Sequence, residues 1–346
     1  MVSKSFPPGK RLHEQGEYTI MAMIGIDVSK KKLDSLWLKD VVAGKVKSRV
    51  FDNTPAGHKA LLTWAQKQTG EALETIHFVM EATGIYHEAL ATELYQAGAK
   101  VSVVNPAQVR NYAKSLGRRT KTDKKDSFVL ARYGATQGPR LWQPEPEEVR
   151  TLRALIARIN AVEKDIQREK NRLEKAEVGR VSEEILRSIH TVLEQLEKEK
   201  SRLEALIERH IDQHPGMKMD RQLLESIPGV GPVISRYMMA VIRSRSFDSA
   251  SQCAAFVGLV PIQHESGTSV HGRPRLSKAG DAQLRAKLYM AAVACIRCNP
   301  DIKRQYERLL KNGKTKMSAL GAAMRKLVHI CFGVLKHQTP YQVQAF

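Results

Sequence analysis

Between residues 21 and 133 the chain alternates between two hydrophobic periods, and the order of the switches restricts the fold more than any other feature. MAMIGIDVSK (21–30) is a short apolar run that carries Asp27 near its end, and it reads as a buried strand. LDSLWLKD (33–40) and KVKSRVFDN (45–53) read as two further strands, with Gly44 in the turn between them. Pro55 then opens a helical pattern through Ala60, Leu61, Leu62, Trp64 and Ala65. ETIHFVME (74–81) is a fourth strand ending at Glu81. A helix follows over residues 86–97, then a strand KVSVVN (100–105), a helix from Pro106, and a last helix over about residues 122–133.

Three strands joined by hairpins, followed by alternating helices and strands, is the βββαβαβα order of the ribonuclease-H fold. After it the pattern changes. Leu152, Leu155, Ile156, Ile159, Val162 and Ile166 recur at helical spacing, as do Ile185, Ile189, Val192, Leu193, Leu196, Leu203 and Ile207, with Gly179 between the two runs. Two long amphipathic helices folded as a hairpin or coiled coil fit this pattern, serving either as a spacer or as an oligomer contact. From about residue 220 the chain reads as helices around one long polar, glycine-bearing loop (264–281). The expected organisation is a flexible extension (1–20), an α/β ribonuclease-H-like domain (21–143), a helical coiled-coil linker (144–215) and an all-α C-terminal domain (216–346).

Charge narrows the function. The chain has 346 residues, with 56 Lys and Arg against 36 acids, a formal charge of +20. Such an excess implies a polyanionic partner. A membrane is the weaker choice: the longest apolar stretch, around residues 288–296, falls short of the ~20 residues a span needs, and no signal peptide precedes Met21. Four cysteines without a secretory signal argue against a disulfide scaffold. A cytoplasmic protein that faces nucleic acid is expected. The charge is concentrated: residues 110–132 hold eight Lys or Arg against two acids, and residues 261–346 hold fifteen against four.

Four acids stand out within the first domain. In a ribonuclease-H order the strands carrying Asp27 and Glu81 are central neighbours, with their C-terminal ends at the sheet edge where α/β folds place their sites. Asp123 and Asp126 are spaced i, i+3 at the start of the last helix, which puts both on one face. Singly, Asp27 reads as a strand-end acid and Asp123 as a helix cap. Jointly, four convergent acids call for a cation, and Mg²⁺ (or Mn²⁺) is the hard, oxygen-seeking ion that carboxylates hold. The surrounding Arg118, Arg119, Lys121, Lys124 and Lys125 are expected to contact phosphates.

IGIDVSKKKLD (24–34), MEATGIYHEAL (80–90), VVNPAQVRNYAKS (103–115) and TKTDKKDSFVLARY (120–133) resemble the DEDD transposases of bacterial insertion sequences, a family that includes the Piv-type DNA invertases and bridge-RNA-guided recombinases. The resemblance implies a RuvC-like domain whose acidic set falls on Asp27, Glu81, Asp123 and Asp126. LLESIPGVGPVIS (223–235) is similar to the family's helix-hairpin-helix-like segment, and residues 254–292 to its transposase domain. Among the loop hydroxyls Ser266, Thr268, Ser269 and Ser277, the residues alone do not choose. The resemblance implies a nucleophile at Ser266, with Ser269 the fallback. Gly267 would allow close backbone approach to a phosphate, and Arg273, Arg275 and Lys278 could hold its charge.

The implied activity is strand cleavage and rejoining through a phosphoserine, on donor and target DNA, with a structured bridge RNA as guide. A homo-oligomer is implied as well, a dimer or a tetramer in the synaptic complex, in a bacterial, nucleoid-associated setting. The alternative reading is a RuvC-like structure-specific endonuclease that uses metal-activated water and needs no serine. A third is a non-enzymatic nucleic-acid-binding protein, for which the acids would be dispensable. Cys295-x-x-Cys298 lacks a second pair and lies in an apolar helical run, so it reads as core or surface thiol rather than a metal site.

Overall fold

The computed structural model describes residues 10–12, 18–41, 43–116, 123–266, 270–277 and 279–343. Side chains at 10–12, 18–20, 123–125, 264–266 and 270–274 lie outside the description. The chain forms two compact units, Met1–Pro144 and Glu145–Phe346.

In the first unit, β1 (Lys10–Leu12) and β2 (Tyr18–Ile20) form a small antiparallel ladder. The main sheet contains β3 (Met23–Val28), β4 (Lys32–Leu38), β5 (Val46–Asp52), β6 (His77–Glu81) and β7 (Lys100–Val104) in the order β5-β4-β3-β6-β7. β3, β4 and β5 are antiparallel neighbours, whereas β6 and β7 run parallel to β3. Helix α1 (Pro55–Thr69) is capped by Thr54, whose side chain accepts from the Gly57 amide, and has Pro55 in its first turn. Helix α2 is Glu88–Gln96, α3 is Pro106–Ser115 and α4 is Asp123–Gln137.

Strand alternation divides the core into two faces. Ile24, Ile26, Phe78 and Met80 pack with Leu61 and Trp64 of α1 and Leu90 and Leu94 of α2. On the opposite face Met23, Leu36 and Val79 pack with Val129, Leu130 and Ala131 of α4. β3 is covered on both faces, which explains why its sequence is a continuous apolar run rather than an alternating one.

The second unit opens with α5 (Glu147–Val178) and α6 (Glu183–Gln213). They form an antiparallel hairpin: Lys170 bridges Glu197 at 3.1 Å near the turn, and His210 Nε2 meets the Glu148 carbonyl at 2.8 Å near the base. Its seam holds Leu152, Ile156, Ile159 and Val162 against Leu203, Ile207 and Ile211. The turn takes its left-handed residue at Arg180 (φ 50°), one position after Gly179. Helices α7 (Pro215–Glu225), α8 (Pro232–Arg243), α9 (Ala250–Phe256), α10 (Ala282–Cys298), α11 (Pro300–Lys311) and α12 (Lys316–His337) complete the unit. α12 is the one described helix long and apolar enough to cross a membrane, but 56% of its apolar window is buried. Leu327, Val328 and Cys331 lie within the unit's core, which makes α12 a core helix.

The all-α expectation for residues 216–346 needs correction. Part of the polar segment expected to be a loop is an antiparallel hairpin, β8 (Pro261–Ser266) and β9 (Val270–Leu276). Its strands hide from pattern reading because Pro261, Ile262, Gln263 and Arg275 are exposed, so no buried face imposes alternation. The register shifts between Ile262 and His264, opposite the stretch containing Pro274, a residue that cannot donate to a ladder.

Candidate active site

Register places the first two acids. β3 and β6 pair in parallel with Ile26 opposite Met80, so the next positions, Asp27 and Glu81, sit at adjacent C-terminal strand ends. Ile26 and Met80 face α1 and α2, so Asp27 and Glu81 belong to the α4 face. Both are half-buried.

α4 approaches that face through glycines. A Cβ on Gly25 would lie 2.0 Å from the Ser127 carbonyl oxygen and 2.4 Å from the Ala131 amide nitrogen, so only glycine lets the helix backbone rest directly on β3. Further along, a Cβ on Gly134 would meet Val79 Cγ2 at 2.6 Å and Met23 Sδ at 2.7 Å. Helix residue 134 therefore lies over strand residue 23, and residues 127–131 over residue 25, so α4 runs antiparallel to β3. Two strand residues advance about 6.7 Å and one helix residue about 1.5 Å, so each strand pair spans roughly 4.5 helix residues. Continued by one more strand pair, the first turn of α4, with Asp123 and Asp126, comes level with Asp27. Asp126 is half-buried, and the backbone of Asp123 begins the helix while its side chain lies outside the described residues.

A further acid was not singled out on the sequence. β3 and β4 pair Asp27 directly with Asp34, so Asp34 shares its face. Directly opposed residues have Cβ atoms ~4.5–5.5 Å apart. The acids Asp34, Asp27 and Glu81 thus form a row across three strands. Strand alternation alone would not find Asp34, because its relation to Asp27 depends on the hairpin register. Asp27, Asp34, Glu81 and Asp126 each have a bonding or electrostatic partner. Among the described residues, no three His, Cys, Asp or Glu side chains converge closely enough to hold a metal ion. The donors are nonetheless hard oxygens at one sheet edge, the set a Mg²⁺-type ion takes.

The loops next to this edge are tied together by residues the sequence did not mark. Asn53 donates to the Ser29 carbonyl at 2.9 Å, just after Asp27, and to the Tyr86 carbonyl at 3.0 Å, beyond Glu81. Buried His58 holds Asn53 Oδ1 through Nε2 at 2.8 Å, and its Nδ1 lies 3.1 Å from Glu93. His87, six residues past Glu81, has its pKa lowered chiefly by burial, against the pull of Glu88. Nothing gives it a role.

Ser266 is the last residue of β8 and pairs with Val270; its side chain and residues 267–269 lie outside the described residues. The base of this hairpin is held by close backbone packing and hydrogen bonds. Gly258 (φ 82°) sits where a Cβ would be 2.0 Å from the Ala279 carbonyl oxygen, and Arg285 donates to that same carbonyl at 2.8 Å. The Ser277 amide donates to the Val260 carbonyl at 2.9 Å. Ser266 therefore stands at the far end of a strand pair anchored at its root. Of the cations expected on phosphate, Arg275 is exposed on β9. Arg118, Arg119, Lys121 and Lys278 lie outside the described residues, as do the side chains of Lys124, Lys125 and Arg273.

The glycine turn between α7 and α8 packs on the Cys-x-x-Cys pair: a Cβ on Gly229 (φ 91°) would lie 2.5 Å from Cys295 Sγ and 3.1 Å from Cys298 Sγ. Burial pushes the Cys295 thiol up to about 12, so it acts as a packing group.

Comparison with known proteins identifies the family. A transposase family model of the DEDD, IS110 type matches residues 24–176, and a model of the IS116/IS110/IS902 transposase family matches residues 221–307. The chain is 33% identical over 322 residues to the pilin gene-inverting protein of Moraxella lacunata, covering 92% of this chain and 97% of that one. It is 29% identical over 159 residues to an uncharacterized 43.6 kDa protein of insertion element IS110 from Streptomyces coelicolor, covering 46% and 38% of the two chains. It is 32% identical over 167 residues to a probable family 20 transposase of Pseudomonas aeruginosa, covering 46% and 47%. Matched along nearly its whole length, the chain belongs to the IS110 family of transposases and DNA invertases, and it is a DNA recombinase.

Proposed function

We propose that this recombinase cuts and rejoins DNA strands through a phosphoserine at Ser266, with Asp27, Glu81, Asp123 and Asp126 as the metal-holding acids of a ribonuclease-H-like domain. The observation that carries the acidic half is the seating of α4 on Gly25, which runs the helix antiparallel to β3 toward the strand ends of Asp27 and Glu81. The sheet order, with three antiparallel strands and two parallel ones, supports the ribonuclease-H reading.

The four carboxylates would hold Mg²⁺ or Mn²⁺, which when bound supplies positive charge to the transferring phosphate. Ser266 Oγ attacks the scissile phosphorus. The new bond is Oγ–P, the broken one is P–O3′, and the 3′-oxygen leaves with a proton as a hydroxyl. The DNA is then joined to the protein by a 5′-phosphoserine. A 3′-hydroxyl of another strand attacks that ester and releases the serine, so one ester replaces another and no nucleotide cofactor is needed. Arg273, Arg275 and Lys278 neutralise the phosphate during both exchanges.

The +20 charge suits a second polyanion beside DNA and supports a structured guide RNA as an additional partner. The protein works as an oligomer, a dimer that pairs into a tetramer at synapsis, in which one subunit supplies serine and another the acids. Mixing Ser266→Ala and Asp27→Asn chains under conditions of subunit exchange tests this: activity returns in the mixture. Exchange without recovery refutes the shared arrangement. For the acids, Asp27→Asn and Glu81→Gln should abolish cleavage at every Mg²⁺ concentration while nucleic-acid binding stays within about threefold of wild type, because phosphate contacts set affinity. Cleavage surviving in both variants would remove the acids from the chemistry.

A further inference from the structure

The second unit also holds a cavity of about 570 Å³ between α5 and α8, lined as well by Phe256, Val257 and Asp281, next to the root of the β8–β9 hairpin, and by Gln283 and Leu284 at the start of α10. Its walls are kept open by small residues: Ala157 and Ala161 on α5, and Ala240 on α8. Asn160 lines it, buried in a helix seam whose neighbours Ile156, Ile159 and Val162 are apolar. Its Oδ1 accepts from the buried Tyr237 hydroxyl. Its amide nitrogen donates to no described residue, so the other half of a buried amide is left toward the cavity.

Charge lines the same helix face. Arg153, Ala157, Ala161, Lys164 and Arg168 recur every three or four residues, a stripe about 22 Å long at ~1.5 Å per residue. Arg153 bridges Glu145 at 2.8 Å and Arg168 bridges Asp165 at 2.9 Å, whereas exposed Lys164 has no ion pair among the described residues. At the Phe256 end, Arg245 lies with its guanidinium carbon 4.1 Å from the ring centroid. Its charge is disfavoured first by burial and then by neighbouring Arg153, which Glu145 only partly offsets. The cavity wall thus carries Arg153, Lys164 and Arg168 against Asp165 and Asp281, with the Phe256 ring, the half-used Asn160 amide and an apolar floor, and Arg245 lies beyond the wall against Phe256.

We propose that this cavity binds one unpaired nucleotide of a nucleic-acid strand, its base against the alanine floor with an edge on Asn160 and its flanking phosphates on Lys164 and the Arg153–Arg245 end. The volume falls in the ~300–1,000 Å³ range of small-ligand pockets, enough for a nucleotide and too small for a duplex. An amide in a flat apolar slot is suited to a base edge, and bases accept stacking regardless of sequence. An acidic peptide would use the cations but leave the amide and the slot idle.

The test uses the full chain in EDTA, so that no cleavage is read and the outcome is independent of the serine and the acids. The probes are a twelve-nucleotide single-stranded DNA and the matching RNA, each with a central 2-aminopurine, and a duplex of the same sequence. Wild type should change 2-aminopurine emission with the single strands and not with the duplex. The stronger of the DNA and RNA responses identifies the strand the cavity takes. Ala161→Leu, which fills the slot, and Lys164→Glu, at an exposed position that cannot disturb the core, should each weaken that response about tenfold. Circular dichroism checks that both are folded. Wild-type responses from both variants, or competition by polyglutamate as effective as that by an unlabelled oligonucleotide, would overturn the assignment.

Discussion

Gly25→Ala should damage this protein far more than one methyl group suggests. The added Cβ would sit 2.0 Å from the Ser127 carbonyl oxygen and 2.4 Å from the Ala131 amide nitrogen, where ordinary contact begins at 3.4 Å. The helix must retreat by about 1.4 Å, the difference between 3.4 and 2.0 Å, and both clashing atoms are backbone, so no rotamer relieves them. Overpacking of this kind costs ~1–3 kcal/mol or more. The opposing gain, a less flexible unfolded chain, is only ~0.4–1 kcal/mol. The lifted helix carries the turn that bears Asp123 and Asp126, and a ~1 Å misplacement of catalytic groups costs ~10²-fold in rate. Differential scanning fluorimetry and a strand-cleavage assay read the two effects: a fall in Tm of several degrees, and cleavage down about a hundredfold with nucleic-acid affinity little changed. Gly134→Ala is the graded comparison. Its Cβ meets side-chain ends, Val79 Cγ2 and Met23 Sδ, which can move, so its loss should be smaller. Gly333→Ala in α12, with nothing within 4 Å, should be neutral or stabilising by up to ~1 kcal/mol. Wild-type stability and activity in Gly25→Ala would refute the seating of α4 on β3.

Other outcomes follow from the same geometry. Asp34→Asn, opposite Asp27, should raise the Mg²⁺ concentration for half-maximal cleavage about tenfold and shrink the Mg²⁺-induced rise in Tm; an unchanged Mg²⁺ dependence would show that Asp34 does not influence the ion. His77 is held neutral, with its pKa lowered to about 4 chiefly by burial and then by Lys100. The unfolded chain therefore takes up a proton near pH 6.5 that the folded chain refuses until about pH 4, so stability falls as pH drops through that window, by up to ~3 kcal/mol, and is unaffected above it. Denaturation of His77→Asn between pH 7 and 4.5 should lose that component of the acid sensitivity. His58→Ala removes the link between Asn53 and Glu93 in a buried setting and should cost ~1–3 kcal/mol by thermal or urea denaturation, a stability near wild type being the contrary result.

What the sequence made legible follows burial. β3 and β6 are closed in on both faces, so their apolar runs stand out and Asp27 and Glu81 show as acids at strand ends. The α5 and α6 seam shows for the same reason, since Leu152, Ile159, Leu203 and Ile207 recur at helical spacing in a polar background. The β8–β9 hairpin does not show, because exposed strands need no alternation and Pro274 argues against a strand. Asp34 is invisible until the β3–β4 register is known. Gly25 reads as an unremarkable strand glycine, since the reason for it, the Ser127 carbonyl, is about a hundred residues away.

The central claim is that the DNA is held covalently on Ser266 during exchange. Incubation of the full chain, with any RNA that co-purifies with it, and a 3′-labelled DNA nicked so that the freed 3′-hydroxyl strand dissociates, followed by denaturing electrophoresis and peptide mass spectrometry, measures this directly. The account predicts a protein–DNA adduct mapped to Ser266, requiring Mg²⁺ or Mn²⁺ and absent in Ser266→Ala and Asp27→Asn. Cleaved DNA with no adduct, persisting in Ser266→Ala, would contradict it and identify water as the nucleophile.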